Sequence, residues 1–280
     1  MVKSFSPLRY PGGKAKIYQN VKNIILTNNF QNHIYVEPFA GGFSIGIGLL
    51  FENVVQSVVL NDYDKHIFNF WYAVINDTQR FIELVKETPI TIEERDRQKK
   101  IYLSSNAEPL LDGFSTFFLN RVNFSGVIKG GPIGGISQSG TYKLNCRFNK
   151  KEIIRKIELI AEFRDKILLL NIDAGELIRD KLPTIMDPIF LNIDPPYVVK
   201  GSKLYTNFFT EIDHRNLKNV VSECIDNRVP WIITYDDCNL IREIYSEYYI
   251  QDYGIAHNAG GTKSGRELVI TNISRDNFSW

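Results

Sequence analysis

The chain has 280 residues, of which 44% are hydrophobic and 23% are charged, and its formal net charge is +1 at pH 7. These values are typical of a globular protein and exclude a disordered or collagen-like chain. The length suits one large domain, or one domain that carries a smaller insert.

Apolar runs and cysteines give a first indication of the protein's location. The N-terminal stretch MVKSFSPLRYPGGK has no apolar run of signal-peptide length, and no hydrophobic stretch elsewhere is long enough to span a bilayer. We therefore expect a cytoplasmic protein without a membrane segment. Cys146, Cys224 and Cys238 are scattered and form no C-x-x-C pair, so the sequence predicts reduced thiols and no structural metal.

The first part of the chain predicts a strand, a helix and a second strand. The runs at residues 33–39 and 55–62 are short and apolar, and each ends in polar or turn residues, as is typical of buried strands. The run SIGIGLLF between them, residues 44–51, is interpreted as a helix.

The middle of the chain has a different texture. It includes a charged helical run at residues 91–103 and a glycine-rich stretch at residues 125–144, which is typical neither of a buried strand nor of a long helix. We interpret residues 76–162 as an insert in a discontinuous catalytic domain formed by residues 1–75 and 163–280.

Charge is distributed unevenly within this insert. No Asp or Glu occurs from Gly113 to Lys151. The basic residues of the same interval are Arg121, Lys129, Lys143, Arg147, Lys150 and Lys151. A one-signed segment in a nearly neutral chain indicates a surface that faces phosphates, and the alternative is a solvated basic loop.

Apolar runs typical of strands occur again after the insert. Predicted strands lie at residues 166–173, 189–197 and 229–237, an amphipathic helix lies at residues 213–227, and residues 266–273 form a closing strand. Together with the first unit, they predict an α/β fold built on a doubly wound sheet.

Three acidic or glycine-rich features follow predicted strands. They are Glu37-Pro38-Phe39-Ala40-Gly41-Gly42, Asn61-Asp62 and Asp194-Pro195-Pro196-Tyr197. Ligands of open α/β sheets bind at the carboxyl ends of the strands. We therefore expect these features to meet in one crevice.

The first two features favour a nucleoside cofactor. Gly41 and Gly42 permit a tight turn and let a ligand approach the backbone at the start of the next helix. Asp62 follows a strand at a place where a carboxylate can accept hydrogen bonds from both hydroxyls of a ribose. The dinucleotide fingerprint G-x-G-x-x-G is absent, which disfavours NAD and FAD. The glycines alone are equally consistent with a plain strand-to-helix turn.

The third feature has a chemical interpretation. An exocyclic amine on a nucleobase is a poor nucleophile because its lone pair is delocalised into the ring. The Asp194 carboxylate and the Pro195 carbonyl can accept its two hydrogens and draw the nitrogen toward tetrahedral geometry. Pro196 helps to fix the backbone, and Tyr197 offers a flat face to a base removed from its duplex. The alternative is a Pro-Pro loop whose Asp caps a turn.

These motifs together resemble the DNA adenine N6-methyltransferases of the D12 class, the family of the bacterial Dam methylase. The matches, in the order of the family's α group, are RYPGGK (9–14), EPFAGG (37–42), LND (60–62), FFLNR (117–121), DPPY (194–197) and NAGGTKSGRELVI (258–270). The resemblance implies S-adenosylmethionine as the methyl donor and a class I methyltransferase sheet of seven, mostly parallel strands. The insert would be a mainly helical target-recognition domain for double-stranded DNA.

The resemblance also implies roles for individual residues. The cofactor-binding residues would be Tyr10, Lys14, Glu37, Phe39, Ala40, Gly41, Gly42, Asp62 and Asp194. The catalytic residues would be Asp194, Pro195, Pro196 and Tyr197, without a metal. The alternatives are a packing role for Tyr10 and a plain surface position for Lys14.

Residues of the insert are expected to contact DNA. The candidates are Arg121, Asn123, Phe124, Ser125, Val127, Lys129, Lys143, Arg147, Lys150 and Lys151. Family members that methylate GATC have a stretch like Y-N-G-L-C-R where this chain has FSGVIK at residues 124–129. Ser125 lacks an amide for adenine and Lys129 is a weaker bidentate partner for guanine than Arg, so the sequence does not predict GATC as the target. Val127 is a candidate wedge between bases, or a local core contact.

Other functions share part of this pattern. Cytosine N4-methyltransferases use the same amine chemistry but commonly carry Ser in place of Asp194, and protein glutamine methyltransferases carry Asn there. A DNA-binding regulator on an inactive methyltransferase fold would need none of Lys14, Asp62 and Asp194, and a nicotinamide oxidoreductase is the remaining alternative. We expect site-specific methylation of adenine N6 in duplex DNA, by an enzyme that requires no oligomer and for which a cognate restriction endonuclease is a candidate partner.

Overall fold

The computed structural model describes residues 4–9, 17–198, 209–225, 228–257 and 263–280. Within these ranges the chain forms a seven-stranded sheet with the order β3-β2-β1-β4-β5-β7-β6. The strands are β1 (Ile34–Glu37), β2 (Val58–Asn61), β3 (Ile167–Leu170), β4 (Ile189–Ile193), β5 (Trp231–Asp236), β6 (Tyr249–His257) and β7 (Lys263–Thr271).

The strand directions confirm the predicted α/β class. β1 pairs in parallel with β2 and with β4, so that Tyr35 lies opposite Val58 on one side and Phe190 on the other. The pairs β2–β3 and β4–β5 are also parallel. Only β7 is reversed, and it runs antiparallel to both β5 and β6. The sheet is therefore mostly parallel, with seven strands, as the resemblance implied.

Helices cover the sheet on both faces. Before β3 they are α1 (Tyr18–Thr27), α2 (Ser44–Phe51), α3 (Lys65–Asn76), α4 (Thr78–Glu87), α5 (Ile92–Tyr102), α6 (Pro109–Val122) and α7 (Lys150–Glu162). After β3 they are the one-turn α8 (Ala174–Glu176), which continues as a π-helical turn over Leu177–Lys181, α9 (Glu211–Cys224) and α10 (Asn239–Ile244).

Successive residues of each strand point to opposite faces of the sheet, and both faces are apolar. Tyr35 and Phe190 belong to a core shared with α1 to α4, α6 and α7. Val36 and Leu191 belong to a second core shared with α9 and α10. Because both faces are buried, these strands are continuous apolar runs, which is why the sequence pattern located them.

The segment between β2 and β3 packs on the first of these two cores. Phe117 of α6 stacks on Phe70 of α3, with ring centroids 5.9 Å apart, and Phe81 of α4 lies against both rings. A Cβ on Gly113 would lie 2.4 Å from the Asn69 carbonyl oxygen, so α3 and α6 cross closely. Residues 76–162 are mainly helical, as predicted, and the boundaries of the insert remain a prediction.

Two features are absent from the described ranges. None of their helices is long and apolar enough to cross a bilayer. The described residues also contain no group of three or more His, Cys, Asp or Glu side chains placed to hold a metal ion.

Candidate active site

The carboxyl ends of β1, β2 and β4 lie side by side at one edge of the sheet. β1 lies between the other two strands and is parallel to both. Glu37 ends β1, Asp62 directly follows β2, and Asp194 directly follows β4. All three sequence features therefore occupy the same edge, and their meeting in one crevice remains a prediction. We call residues 37–42, 61–62 and 194–197 the strand-end site.

The turn after β1 is held from two sides. Gly41 has a φ of +48°, which favours glycine. Its N–H donates to Oδ2 of Asp62 at 2.8 Å, and its carbonyl accepts a hydrogen bond from Nε1 of Trp71 at 2.9 Å. The glycine turn and the acid after β2 are therefore in direct contact.

Asp62 has an unusual protonation equilibrium. Its Oδ2 accepts the Gly41 N–H, and its Oδ1 accepts the Asp64 N–H at 2.9 Å. Burial nevertheless raises the pKa of Asp62 to about 7, against the opposing effect of these two hydrogen bonds. A ligand that donates hydrogen bonds to this carboxylate would favour its ionised form.

Asn61 fixes the position of this acid. Its Nδ2 donates to the carbonyls of Pro38 at 2.9 Å and Ile172 at 3.0 Å, and its Oδ1 accepts the Ile172 N–H at 3.1 Å. Asn61 is fully buried. One amide thus joins the chain after β1, the end of β2 and the chain after β3.

Asp194 is oriented by the neighbouring strand. Thr234 of β5 is fully buried and donates from Oγ1 to Oδ1 of Asp194 at 3.0 Å. Asp194 itself is partly exposed, whereas Pro195 is buried. The carboxylate is therefore oriented within a partly exposed residue.

Tyr197 is anchored by a buried acid of β7. Its Oη donates to Oε2 of Glu267 at 2.9 Å, and the Oη of Tyr253 donates to the same oxygen at 3.0 Å. Tyr197 is 7% exposed and Glu267 is 2% exposed. Burial, followed by the charge of Glu267, raises the pKa of Tyr253, so this phenol stays a donor. The Tyr197 side chain is largely covered. Its stacking on a base remains a prediction.

The sequence did not indicate that four residues lie at or support the strand-end site. They are Asn61, which positions Asp62, and Tyr63, Thr234 and Glu267. Tyr63 directly follows Asp62 and is 63% exposed, so its adjacency to the acid was an available signal. Thr234 and Glu267 meet the D-P-P-Y motif only through the pairing of β5 with β4 and β7, and no local pattern marks them.

Asn120 links the insert to the N-terminal segment. Its Oδ1 accepts the Arg9 N–H at 2.7 Å, and its Nδ2 donates to the carbonyls of Arg9 and Gly126, both at 2.8 Å. A Cβ on Gly126 would lie 2.2 Å from the Arg9 carbonyl oxygen, so the two backbones approach closely. Arg9, the first residue of the RYPGGK motif, is thus in contact with Asn120 of the FFLNR motif.

Arg121 lies in a cationic group at this contact. Its Nη1 donates to the Pro7 carbonyl at 3.2 Å, and its buried Nε has no hydrogen-bond partner among the described residues. Burial and then the positive charge of Arg9 lower the pKa of Arg121 to about 10; Glu152 opposes this shift, and Arg147 acts in the same direction as Arg9. An excess of positive charge in a partly buried place favours an anion as ligand.

Most of the other DNA-contact candidates are accessible. Phe124, Lys129, Lys143, Arg147 and Lys151 are exposed, and Ser125 and Val127 are partly exposed. DNA contact remains a prediction for all of them.

Asn123 and Lys150 have partners within the chain. Asn123 is fully buried, where its Oδ1 accepts from Nε of Arg95 at 2.8 Å and its Nδ2 donates to the Ile128 carbonyl at 2.7 Å. Lys150 donates from Nζ to two backbone carbonyls at the end of α4, at 2.7 and 2.8 Å. Their predicted DNA contacts stay untested. Tyr10 and Lys14, predicted at the cofactor, lie outside the described residues.

The insertion of a reversed β7 between β5 and β6 distinguishes this sheet from the Rossmann dinucleotide-binding sheet, whose strand order is 3-2-1-4-5-6. A seven-stranded sheet with this one reversed strand, carrying a glycine turn and an acid at neighbouring strand ends, is the fold of the class I methyltransferases.

Comparison with known proteins narrows this class. Residues 10–257 match the sequence profile of the family described as D12 class N6 adenine-specific DNA methyltransferase. The chain belongs to this family and is an adenine-specific DNA methyltransferase.

Curated relatives are distant but cover the chain. The Type II methyltransferase M1.LlaDCHI of Lactococcus lactis subsp. cremoris is 23% identical over 94% of this chain and 94% of its own. The Retron Ec67 DNA adenine methylase of Escherichia coli is 23% identical over 96% of this chain and 91% of its own. The DNA adenine methylase of Salmonella typhi is 21% identical over 96% of this chain and 95% of its own.

Proposed function

We propose that the chain transfers a methyl group from S-adenosylmethionine to N6 of an adenine that is flipped out of duplex DNA, at a specific sequence. The observation that carries this proposal is the position of Asp194. It lies at the strand edge that also holds Asp62 and Gly41, and Thr234 orients its carboxylate.

The residues at the β1 and β2 ends fit the proposed cofactor. Each oxygen of Asp62 accepts one backbone N–H, and each carboxylate oxygen can accept a second hydrogen bond, here from a ribose hydroxyl. The Gly41 turn presents backbone without a side chain, and the exposed ring of Tyr63 is available to an adenine base. When bound, the cofactor supplies an electrophilic methyl group. The remaining residues assigned here by resemblance are Tyr10, Lys14, Glu37, Phe39, Ala40 and Gly42.

Asp194 and the Pro195 carbonyl would act on the target amine. They accept its two hydrogens, which localises the nitrogen lone pair and stabilises the positive charge that develops as the nitrogen gains its bond to carbon. Thr234 holds Asp194 before the substrate arrives, so little reorganisation accompanies the reaction. The methyl carbon would exchange its bond to the sulfonium sulfur for the bond to nitrogen, with the neutral thioether as leaving group, and the nitrogen would then release one proton to water and become a secondary amine.

The insert supports duplex DNA as the substrate. Exposed cations of the segment 113–151 would contact phosphates, and the cationic group around Arg121 favours an anion. In support of a shared site, Asn120 of the insert bonds to the backbone of Arg9, which directly precedes the predicted cofactor residue Tyr10 in the sequence. A base buried in a duplex is out of reach of Asp194, so the target adenine must leave the stack.

The proposal extends to the setting of the enzyme. The name of the Lactococcus lactis relative contains the words Type II methyltransferase, which supports a cognate restriction endonuclease as a partner. Cytoplasmic location and activity without oligomerisation belong to the same proposal.

A methyl-transfer experiment tests the function. The purified chain is incubated with methyl-labelled S-adenosylmethionine and random-sequence duplex DNA, and labelled bases are identified and mapped. We expect label in N6-methyladenine within one sequence context, and none in a duplex whose adenines are already N6-methylated. Label in cytosine, or no label in either duplex, would contradict the proposal.

A further inference from the structure

We propose that Ile136 is a specificity-determining residue that enters the DNA at the target site and contacts its bases. The inference rests on the proposed action on duplex DNA. It adds a residue that neither the family motifs nor the charge pattern indicates. Ile136 is 78% exposed at the tip of residues 132–144, which we call the glycine loop.

The glycine loop is ordered by one side chain. Gln138 adopts a φ of +52°, and its Nε2 donates to the carbonyls of Ile133 at 2.8 Å and Gly135 at 2.6 Å. Its Oε1 accepts the Leu144 N–H at 2.8 Å. A single amide therefore connects the beginning, the tip and the end of the loop.

Close backbone contacts hold the two sides of the loop together. Gly134 has a φ of +84°, and a Cβ there would lie 2.6 Å from the Tyr142 carbonyl oxygen. The Gly140 N–H donates to the Gly134 carbonyl at 3.2 Å. The glycines thus serve a closed loop of defined shape, not a free chain.

The base of the loop is fixed to the end of α6. Ile133 and Leu144 are buried, and the Ile133 N–H donates to the Val122 carbonyl at the end of α6 at 2.9 Å. The Phe124 N–H donates to the Gly131 carbonyl at 2.9 Å. The loop therefore projects beside residues 124–129, where the sequence predicts base contacts.

The charges around Ile136 indicate which part of the DNA it contacts. The segment 113–151 contains no acid, and Lys129, Lys143 and Arg147 are exposed within it. These cations suit phosphates and bring the loop onto the duplex, whereas an aliphatic side chain gains nothing from phosphate. A branched aliphatic group instead suits a thymine methyl or a gap between stacked bases.

The experiment measures discrimination between DNA sequences by binding, so that it does not depend on methyl transfer. The wild-type chain selects its preferred duplex from a random pool. Fluorescence anisotropy then gives the Kd for that duplex and for a scrambled one, for wild type, Ile136→Ala, Ile136→Leu and Gly134→Ala. Met186→Ala is the matched control, since Met186 is 96% exposed and lies outside the insert. Thermal melting verifies that each variant is folded.

We expect Ile136→Ala to raise the Kd for the preferred duplex about tenfold, as for one lost base contact. The Kd for the scrambled duplex should change about twofold or less. Gly134→Ala should have the same effect by deforming the loop, while Ile136→Leu and Met186→Ala stay close to wild type. Wild-type discrimination by Ile136→Ala, or a wild-type chain without sequence preference, would overturn the inference. Retained discrimination without any methyl transfer would overturn the proposed function and leave the inference standing.

Discussion

The Oη of Tyr197 donates to Oε2 of Glu267 over 2.9 Å, although the two residues are 70 positions apart. Tyr197 belongs to the D-P-P-Y motif after β4, and Glu267 lies in β7, opposite Asp236 of β5. Asp236 in turn accepts the Val198 N–H at 3.0 Å. The strands beyond β4 therefore support the loop on which the chemistry is proposed to depend.

Replacement of Glu267 by Ala should slow catalysis through this support. The hydroxyls of the buried Tyr197 and the partly buried Tyr253 would both lose this acceptor, and such a loss costs about 1–3 kcal/mol of folding free energy for a buried group. We expect kcat to fall at least about tenfold with little change in KM for the cofactor, because the loop that carries Asp194 would lose its anchor. Steady-state kinetics and urea unfolding measure the two effects.

Glu267→Gln and Tyr253→Phe serve as the comparison for this variant. Gln retains an acceptor oxygen and should restore most of kcat, and Tyr253→Phe leaves the bond between Tyr197 and Glu267 in place. If Glu267→Ala turned over at the wild-type rate, Glu267 would have no positioning role.

Cofactor affinity should depend on pH through Asp62. The pKa of Asp62 is raised to about 7, and a ribose that donates hydrogen bonds requires the ionised form. Below pH 7 the carboxyl must lose a proton before it binds, so the Kd for S-adenosylmethionine should be about tenfold higher at pH 6 than at pH 8. Calorimetric titration at the two pH values measures this ratio. Asp62→Asn should bind weakly with no such ratio, and an equal ratio in both proteins would contradict the assignment.

His66 should make the contact between α3 and α6 stronger at low pH. Its Nδ1 lies 2.7 Å from Oδ1 of Asp112, and this hydrogen bond raises the pKa of His66. The resulting stability is fully present below the unfolded pKa of about 6.5 and is lost as the pH rises through the higher folded pKa. His66→Phe keeps an aromatic ring against Tyr102 but removes the charge.

The free energy of unfolding of wild type minus that of His66→Phe should therefore be larger at pH 6 than at pH 8, by about 1 kcal/mol or less because the histidine is partly exposed. Burial lowers the pKa of His33 and of His214, which gives the opposite pH dependence, but both residues are present in each protein and cancel in the difference. A difference that is independent of pH would show that the hydrogen bond is not strengthened by charge.

Arg147 should contribute to DNA affinity without regard to sequence. It is exposed, and its charge helps to lower the pKa of both Arg9 and Arg121. We expect Arg147→Gln to weaken binding of all duplexes similarly and to reduce the slope of log Kd against log salt concentration by about 1. Arg179→Gln is the control, with the same change of charge at an exposed residue outside the insert. Equal salt-dependence slopes for Arg147→Gln and Arg179→Gln would show that Arg147 does not contact DNA.

The sequence located every strand except β6, and the exception has a physical cause. β1, β2, β4 and β5 are buried on both faces and are continuous apolar runs. β6 lies at the edge of the sheet and mixes Gln251 and Asp252 with apolar residues, so its pattern resembles a loop. The glycine-rich stretch was harder still, because composition indicates a flexible backbone whereas the Gln138 side chain orders it.

The strand-end site was predictable because parallel strands bring their carboxyl ends to one edge, whatever the register. The residues that support it were not. The contacts of Thr234 and Glu267 with the D-P-P-Y motif depend on the strand order β4-β5-β7. The hydrogen bond between Arg9 and Asn120 joins residues that are 111 positions apart in the sequence. Charge composition likewise indicated a DNA surface but could not show that the ammonium of Lys150 caps α4.

The most direct test of the central claim is the single-turnover rate of methyl transfer by Asp194→Asn, measured with saturating cofactor and the mapped target duplex. Asp187→Asn is the control, because Asp187 is an exposed acid at the opposite end of β4 and the change of charge is the same. We expect the rate of Asp194→Asn to fall at least about a hundredfold, as for the loss of one preorganised catalytic group, while Asp187→Asn keeps the wild-type rate. An undiminished rate in Asp194→Asn would contradict the account.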